Sequence, residues 1–340
     1  GIFRIRVEGS MREYFKKDSH LRKDSEFIDE KLTGTSSTEI ILRAENDTFK
    51  EPATLRKIEN LQKLLEKNPK VTSSYSIADY VKLINRALNN DDQEYFVIPD
   101  TREMIAQDLL LYEFSGGTEI EKYVTMDYDI ARISIRTKQM DEPERKALLE
   151  AIKEYNKNNF NGFNTEITGF DYLVHRVTES IVLTQIQSLG LAIVTILLLM
   201  MLLFGIKGGL VSIIPNIFPM VFILGLMGYA HFYLNMATSI IASIAIGIVV
   251  DDTIHYFSHF KYEFQENRDK KVSMVNALQM VGPALCYTTV VLILGFLIFL
   301  FSETSILIDF GILASIAVAT ALVGDLFIGP ALLAKWKVFK

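Results

Sequence analysis

Between residues 181 and 334 the chain carries five long, mostly apolar stretches, at about 181–204, 209–230, 234–258, 277–301 and 304–334. A helix rising about 1.5 Å per residue needs roughly 20 such residues to cross the hydrocarbon of a bilayer. Soluble core helices of that length normally show a polar face, and these stretches do not. Inside lipid every backbone N–H and C=O must be satisfied by the protein itself, which leaves the helix as the form these stretches can take. The pattern predicts five membrane spans.

The remainder is of a different kind. Residues 1–180 are rich in Lys, Glu, Asp and Asn and read as a water-soluble domain, with residues 181–340 as the transmembrane domain. The net charge is −6 and no basic tail or arm is present, so nucleic acid is not an expected partner. The single cysteine, Cys286, lies in the apolar half, which leaves the soluble domain without a disulfide. The opening GIFRIRVEGS has Arg4 and Arg6 inside it and no apolar core, unlike a signal peptide.

Basic residues orient the spans. Lys207 follows the first, Lys261, Arg268, Lys270 and Lys271 follow the third, and Lys335, Lys337 and Lys340 follow the fifth. The connections AHFYLN and FSETS hold none. The ends of the odd-numbered spans are therefore expected in the cytoplasm and the soluble domain outside it. A domain so placed has to be led across the membrane, which predicts a span preceding Gly1 in a longer polypeptide.

Within the soluble domain, STEIILRA (37–44) alternates like a strand, and Pro52 opens an amphipathic helix over 54–67. A short strand near VTSSYS follows, then helices over 77–88 and 101–114, and two strands with a turn inside 121–137. A helix over 142–159 and a strand over 165–170 close the domain. This order predicts ferredoxin-like packing of split βαβ units, an α+β class, beside an all-α five-helix bundle. No metal-ligand spacing, phosphate loop or nucleophile elbow is present, and an enzyme is not expected.

Two aspartates end the apolar run MATSIIASIAIGIVV, in IGIVVDDTIHYFSHF (246–260). A charge at mid-bilayer costs roughly 2.5–3.5 kcal/mol on insertion scales, so Asp251 and Asp252 must be protonated, paired or hydrated. Helical neighbours point about 100° apart, so the two face different ways. Spacing of four pairs Asp251 with His255 and Asp252 with Tyr256, and His259 extends the first stripe. Three readings stay open: a proton relay over Asp251, Asp252, His255 and Tyr256; a metal site of Asp251, His255 and His259; or polar groups that only join helices. Other polar residues support a bundle interior. Pro215 and Pro219 break the second span around Asn216 and free backbone carbonyls. Thr288 and Thr289 lie within the fourth span and Asp325 deep in the fifth.

Several of these stretches together resemble one superfamily. IPNIFPMVFILGLMGY, LNMATSIIASIAIGIVVDDTIHYFSHFKYEF, GPALCYTTVVLILGFLIFLFSE and FGILASIAVATALVGDLFIGPALL are similar to exporters of the resistance–nodulation–division superfamily, with RIRVEGSMREYF and FIDEKLTGT extending the likeness towards the start. The branch is that of mycobacterial membrane lipid exporters, hopanoid transporters and Patched-like proteins. The resemblance implies a half-transporter, by wording a C-terminal half: one span, an extracytoplasmic porter domain, then five spans of the kind called a sterol-sensing domain. It places the proton-relay acids on Asp251 and Asp252. It implies export of hydrophobic or lipid-like substrates driven by protons, with sodium as the alternative ion and no other cofactor. The expected location is a bacterial inner membrane with the large domain periplasmic. Expected partners are an N-terminal half or second protomer, and a periplasmic carrier or outer-membrane protein. Some members pair the acids with an intramembrane Lys or Arg; these five stretches have none, so that partner comes from the other half or His and Tyr replace it. The alternatives are a sterol- or lipid-sensing module that does not pump, and an accessory to protein export.

Overall fold

In the computed structural model, which describes residues 1, 4, 5, 7 and 14–336, the alternation of SSTEIILR becomes strand β1 (Ser36–Arg43). Ser36, Thr38, Ile40 and Leu42 point to the buried face, as the period of two requires. Antiparallel partners flank it on both sides: Ile40 stands opposite Ile133 of β3 (Ile130–Thr137) and opposite Ile167 of β4 (Asn164–Thr168). A slip of one residue would turn Ile40 and Leu42 away from the core, so the pattern fixes the register. β2 (Val71–Tyr75) pairs antiparallel with the outer edge of β3, giving the order β2-β3-β1-β4.

Helix α2 (Pro52–Leu65) connects β1 to β2, and α5 (Glu142–Asn159) connects β3 to β4. The sheet order makes these two interleaved split βαβ units. α1 (His20–Lys31) precedes them, and α3 (Ile77–Leu88) and α4 (Arg102–Phe114) are inserted between β2 and β3. The starts are written in the sequence. Pro52 opens α2, and reciprocal capping boxes, Ser76 with Asp79 and Asp141 with Glu144, open α3 and α5. α2 buries Leu55, Ile58, Leu61 and Leu65 at helical spacing against the sheet's core side chains. Each such fully buried side chain contributes about 1.5–3 kcal/mol. The segment 121–137 holds one strand where two were expected. Only a bridge from Val124 to Ala131 precedes β3, because a 3-10 turn at Glu119–Lys122 occupies the first residues.

This unit, His20–Val177, is compact by itself. Its most buried charges are assembled in one place. Thr137 and Thr38 donate to Asp171 Oδ2 at 2.6 and 3.3 Å, and Arg145 Nε lies 3.6 Å from Asp171 Oδ1. Arg145 also donates to Glu142 and to the Met140 carbonyl, at 2.7 and 2.8 Å, and His175 Nδ1 meets the other Glu142 oxygen.

The second unit comprises Gly1–Ser19 and Thr178–Lys340. Its elements are α6 (Phe170–Ala230, whose start lies in the first unit), α7 (Met236–Asn267), α8 (Lys270–Leu297), α9 (Ser305–Val323) and α10 (Gly329–Lys335). Among the described residues, four helices are long and apolar enough to cross a membrane, with the 3-10 turn Ile298–Phe301 completing the third and α9–α10 forming the fourth. The two spans expected at 181–204 and 209–230 both fall in α6. Helical geometry is broken there at Gly205, with φ 76° and ψ 171°, a backbone conformation that glycine adopts without penalty. Asn235 and Thr238 cap α7 reciprocally. Lys261 donates to the Leu203 carbonyl and Lys270 to the Trp336 carbonyl, at 3.2 and 3.0 Å. Basic side chains thus close the helix ends that leave carbonyls unpaired. Most of RIRVEGSMREYF, and the tail residues Lys337 and Lys340, lie outside the described residues.

Candidate functional site

Helix α7 turns its small and aromatic residues inward at spacings of three and four: Ala242, Ala245, Val249, Thr253, Tyr256, Phe257 and Phe260 are all buried. This face decides the fate of the two aspartates. Asp252 lies beside Thr253 on the inner side and is 9% exposed. The Asp251 side chain is 75% exposed, and so is most of His255, whose Nε2 stands 3.8 Å from Asp251 Oδ1. The stripe Asp251–His255 therefore runs along the outside of this unit, with His259 half-buried at its end.

Two other elements bring polar groups to the inner face of α7. The breaks expected at Pro215 and Pro219 do not occur: α6 stays helical through both, since proline's fixed φ suits a helix, and its irregular backbone lies at Gly205; this continuous stretch supplies Asn216. Its Nδ2 donates to the Ser212 carbonyl at 2.7 Å, and Ser212 donates to the Gly209 carbonyl at 2.8 Å. Between α9 and α10 the helix widens into a π-turn, Gly324–Ile328, which carries Asp325 at 1% exposure. The widening is local chemistry: Pro330 cannot donate into the ladder, and the Gly329 N–H bonds five residues back, to the Gly324 carbonyl. Thr253 joins the three elements. Its hydroxyl is 3.2 Å from Asn216 Oδ1 and 2.5 Å from Asp325 Oδ1.

Gly324 lets this meeting happen. A Cβ there would stand 3.1 Å from the Pro215 carbonyl oxygen. That carbonyl would normally accept from residue 219, which is a proline without an N–H. The freed carbonyl and the turn bearing Asp325 thus approach where a side chain is missing.

Tyr256 is buried, but its Oη has no hydrogen-bond partner among the described residues, so the spacing-based pairing with Asp252 is not made. Thr289 is buried. Thr288 is exposed and bonds its own helix, at the Leu285 carbonyl 3.0 Å away, as a threonine facing outward can. The structure brings Asn216 and Asp325 together at Thr253, buries Asp252 beside that threonine in the chain, and leaves Asp251 and His255 on the outer face. Sequence reasoning missed Thr253 and Ser212. The signal for Thr253 was the inward period through Val249 and Phe257, which outranks the spacing between charged residues. No group of three or more His, Cys, Asp or Glu with metal-binding geometry occurs among the described residues.

Known proteins resemble this chain over very different shares of their length. Over 175 residues the chain is 25% identical to the protein dispatched homolog 3 of Gallus gallus, a match that takes in 50% of this chain and 13% of that protein. The chain therefore corresponds to a small part of that relative's length. The model of the MMPL family matches residues 13–336, nearly end to end. This chain belongs to the MMPL family, whose members are transporters, within the resistance–nodulation–division superfamily.

Proposed function

We propose that this chain forms half of a proton-driven exporter of hydrophobic or lipid-like molecules. One observation carries the reading: two carboxyls, Asp252 and Asp325, lie buried among membrane-length helices, and Thr253 joins Asp325 to Asn216 of the proline-containing stretch of α6. Burial of such groups costs several kcal/mol, and a site that takes up and releases protons gives that cost a use. Membership of a transporter family supports the same reading.

In this reading the break at Gly205 divides α6 into two spans, so that the chain crosses the membrane five times. The unit holding residues 178–340 forms the bundle, and the unit His20–Val177 forms a porter-like domain on the periplasmic side of a bacterial inner membrane. The helix ends closed by Lys261 and Lys270 face the cytoplasm. Asp251 and His255, exposed on this chain, face the complementary half or a second protomer, which supplies the positive partner. Asp251, Asp252, His255 and Tyr256 form the relay.

The energetics limit the mechanism. One proton moving through 100 mV supplies about 2.3 kcal/mol, whereas drawing an acyl chain into water costs about 0.8 kcal/mol per methylene. A whole chain exceeds what one proton gives. The porter domain must then present an apolar path, and protonation serves to shift helices between two packings rather than to lift cargo.

The test is transport and proton flux in inverted membrane vesicles carrying the full-length protein. Asp251→Asn and Asp252→Asn are each expected to abolish both. Undiminished transport in both variants rejects the relay. Absence of cargo movement, with an activity that ignores an uncoupler, would favour the lipid-sensing alternative instead.

A further inference from the structure

The groups around Thr253 offer more acceptors than hydrogens. Asn216 gives its Nδ2 to the Ser212 carbonyl, and this contact fixes the amide, because turning it over would set Oδ1 against a carbonyl oxygen. Oδ1 is thus the atom facing Thr253, at 3.2 Å. Asp325 Oδ1 approaches the same hydroxyl at 2.5 Å. A threonine hydroxyl has one hydrogen to give and can also accept.

Two arrangements follow. With Asp325 ionised, the hydrogen goes to the carboxylate, and Asn216 Oδ1 is left without a donor at a site almost closed to solvent. Asp325 Oδ2 is left likewise; it has no hydrogen-bond partner among the described residues. With Asp325 neutral, its own O–H donates to Thr253, the Thr253 hydroxyl donates onward to Asn216, and the chain of three is complete. Only a neutral carbonyl oxygen then stays unbonded, which costs far less than an unpaired carboxylate oxygen. No cation pairs with Asp325 among the described residues. On α7, the buried neighbour of Thr253 in the chain is Asp252, another acid, which offers no positive charge. Tyr256 of α7 packs beside the end of the π-turn at Gly329, while α6 brings only uncharged groups, Asn216 and the Pro215 carbonyl.

We propose that Asp325 is a proton-binding carboxyl, neutral in this conformation, whose ionisation turns the Thr253 hydroxyl from Asn216 to itself. Releasing Asn216 would free the stretch between Pro215 and Pro219 from α7. This deepens the proton-driven reading, yet its test does not depend on cargo or on flux.

The experiment is infrared spectroscopy of the full-length protein in lipid vesicles, following the C=O stretch of protonated carboxyls against pH. The wild type is expected to show a band at the high-frequency end of the carboxylic range, because Oδ2 accepts nothing, and to lose it at alkaline pH. Asp325→Asn should remove that band, and Thr253→Val should shift it, which keeps the proposal testable should the first variant fold poorly. A spectrum in which Asp325→Asn removes no band, or Thr253→Val moves none, overturns the proposal. A band unchanged from the acid to the alkaline limit of stability overturns it equally. Wild-type vesicles that pass no protons would sink the pump reading and leave this assignment standing.

Discussion

Asp171 and Asp325 are both almost fully buried, one in each unit, and their surroundings are opposite. Asp171 receives two threonine hydroxyls and has the Arg145 guanidinium beside it. Asp325 has a single threonine hydroxyl and, among the described residues, no cation. At the first site burial pushes the carboxyl above the ordinary carboxylate range, while two hydroxyls and the Arg145 guanidinium pull the other way and favour the charged form. The second is furnished to hold a neutral acid, with just enough polarity that losing the proton changes who donates to whom. A buried acid is therefore no functional sign by itself; what counts is whether its neighbours compensate the charge or the proton.

The contrast breaks most visibly at Arg145. Removing one member of a buried ion pair costs about 3–5 kcal/mol, because its partner is left charged and unpaired. Arg145→Met is expected to lower the melting temperature of the unit His20–Val177, followed by circular dichroism, by more than any single change in the Thr253 network lowers that of the membrane unit. Adding Asp171→Asn should recover part of the loss. If the double variant melts lower than the single one, Asp171 is not held by its charge, and the comparison fails at its first term.

Next in size is Thr253→Val, which keeps the shape and removes the hydroxyl that joins three elements. Leaving Asn216 Oδ1 and Asp325 without that group is expected to cost about 1–3 kcal/mol, read as thermal stability in detergent, while Thr253→Ser stays close to the wild type. Equal losses in both variants would make the methyl group, rather than the hydrogen bond, the thing that matters. Gly324→Ala should cost about 1–2 kcal/mol, since the added methyl meets the Pro215 carbonyl and the neighbours must yield. A neutral result there would mean that the two helices part easily.

The two units also differ in how much of them the sequence made legible. In the unit His20–Val177 polar and apolar residues alternate, so SSTEIILR and the helix after Pro52 declare both their form and their inner face. In the membrane unit the helices are largely apolar, and in α7 only the spacing through Val249, Thr253 and Phe257 hints at the face turned to other helices. The spacing argument correctly separated Asp251 from Asp252, but it could not say which of them points inward. Asp325 was visible as an acid in a span. Its meeting with Thr253, 72 residues away, was not, because that contact depends on how α7 and the π-turn are packed. The π-turn itself has only Gly324, Gly329 and Pro330 to announce it, and those residues also fit an ordinary helix end.

The smallest expected effect discriminates best between the two aspartates. Asparagine has the shape of a neutral aspartic acid, with an N–H where the acid has its O–H. At position 325 it can donate to Thr253 and leave the hydroxyl free to serve Asn216, so Asp325→Asn is expected to change stability by less than about 1 kcal/mol. At position 171 the same substitution sets a neutral amide beside Arg145, which keeps only the Glu142 carboxylate, and the loss should be larger. Comparing the two variants in one preparation, by hydrogen exchange resolved to each unit, cancels differences in lipid or detergent. Should Asp325→Asn prove as damaging as Asp171→Asn, both carboxyls are structural anchors. Then nothing in the membrane unit's interior is built to change its charge.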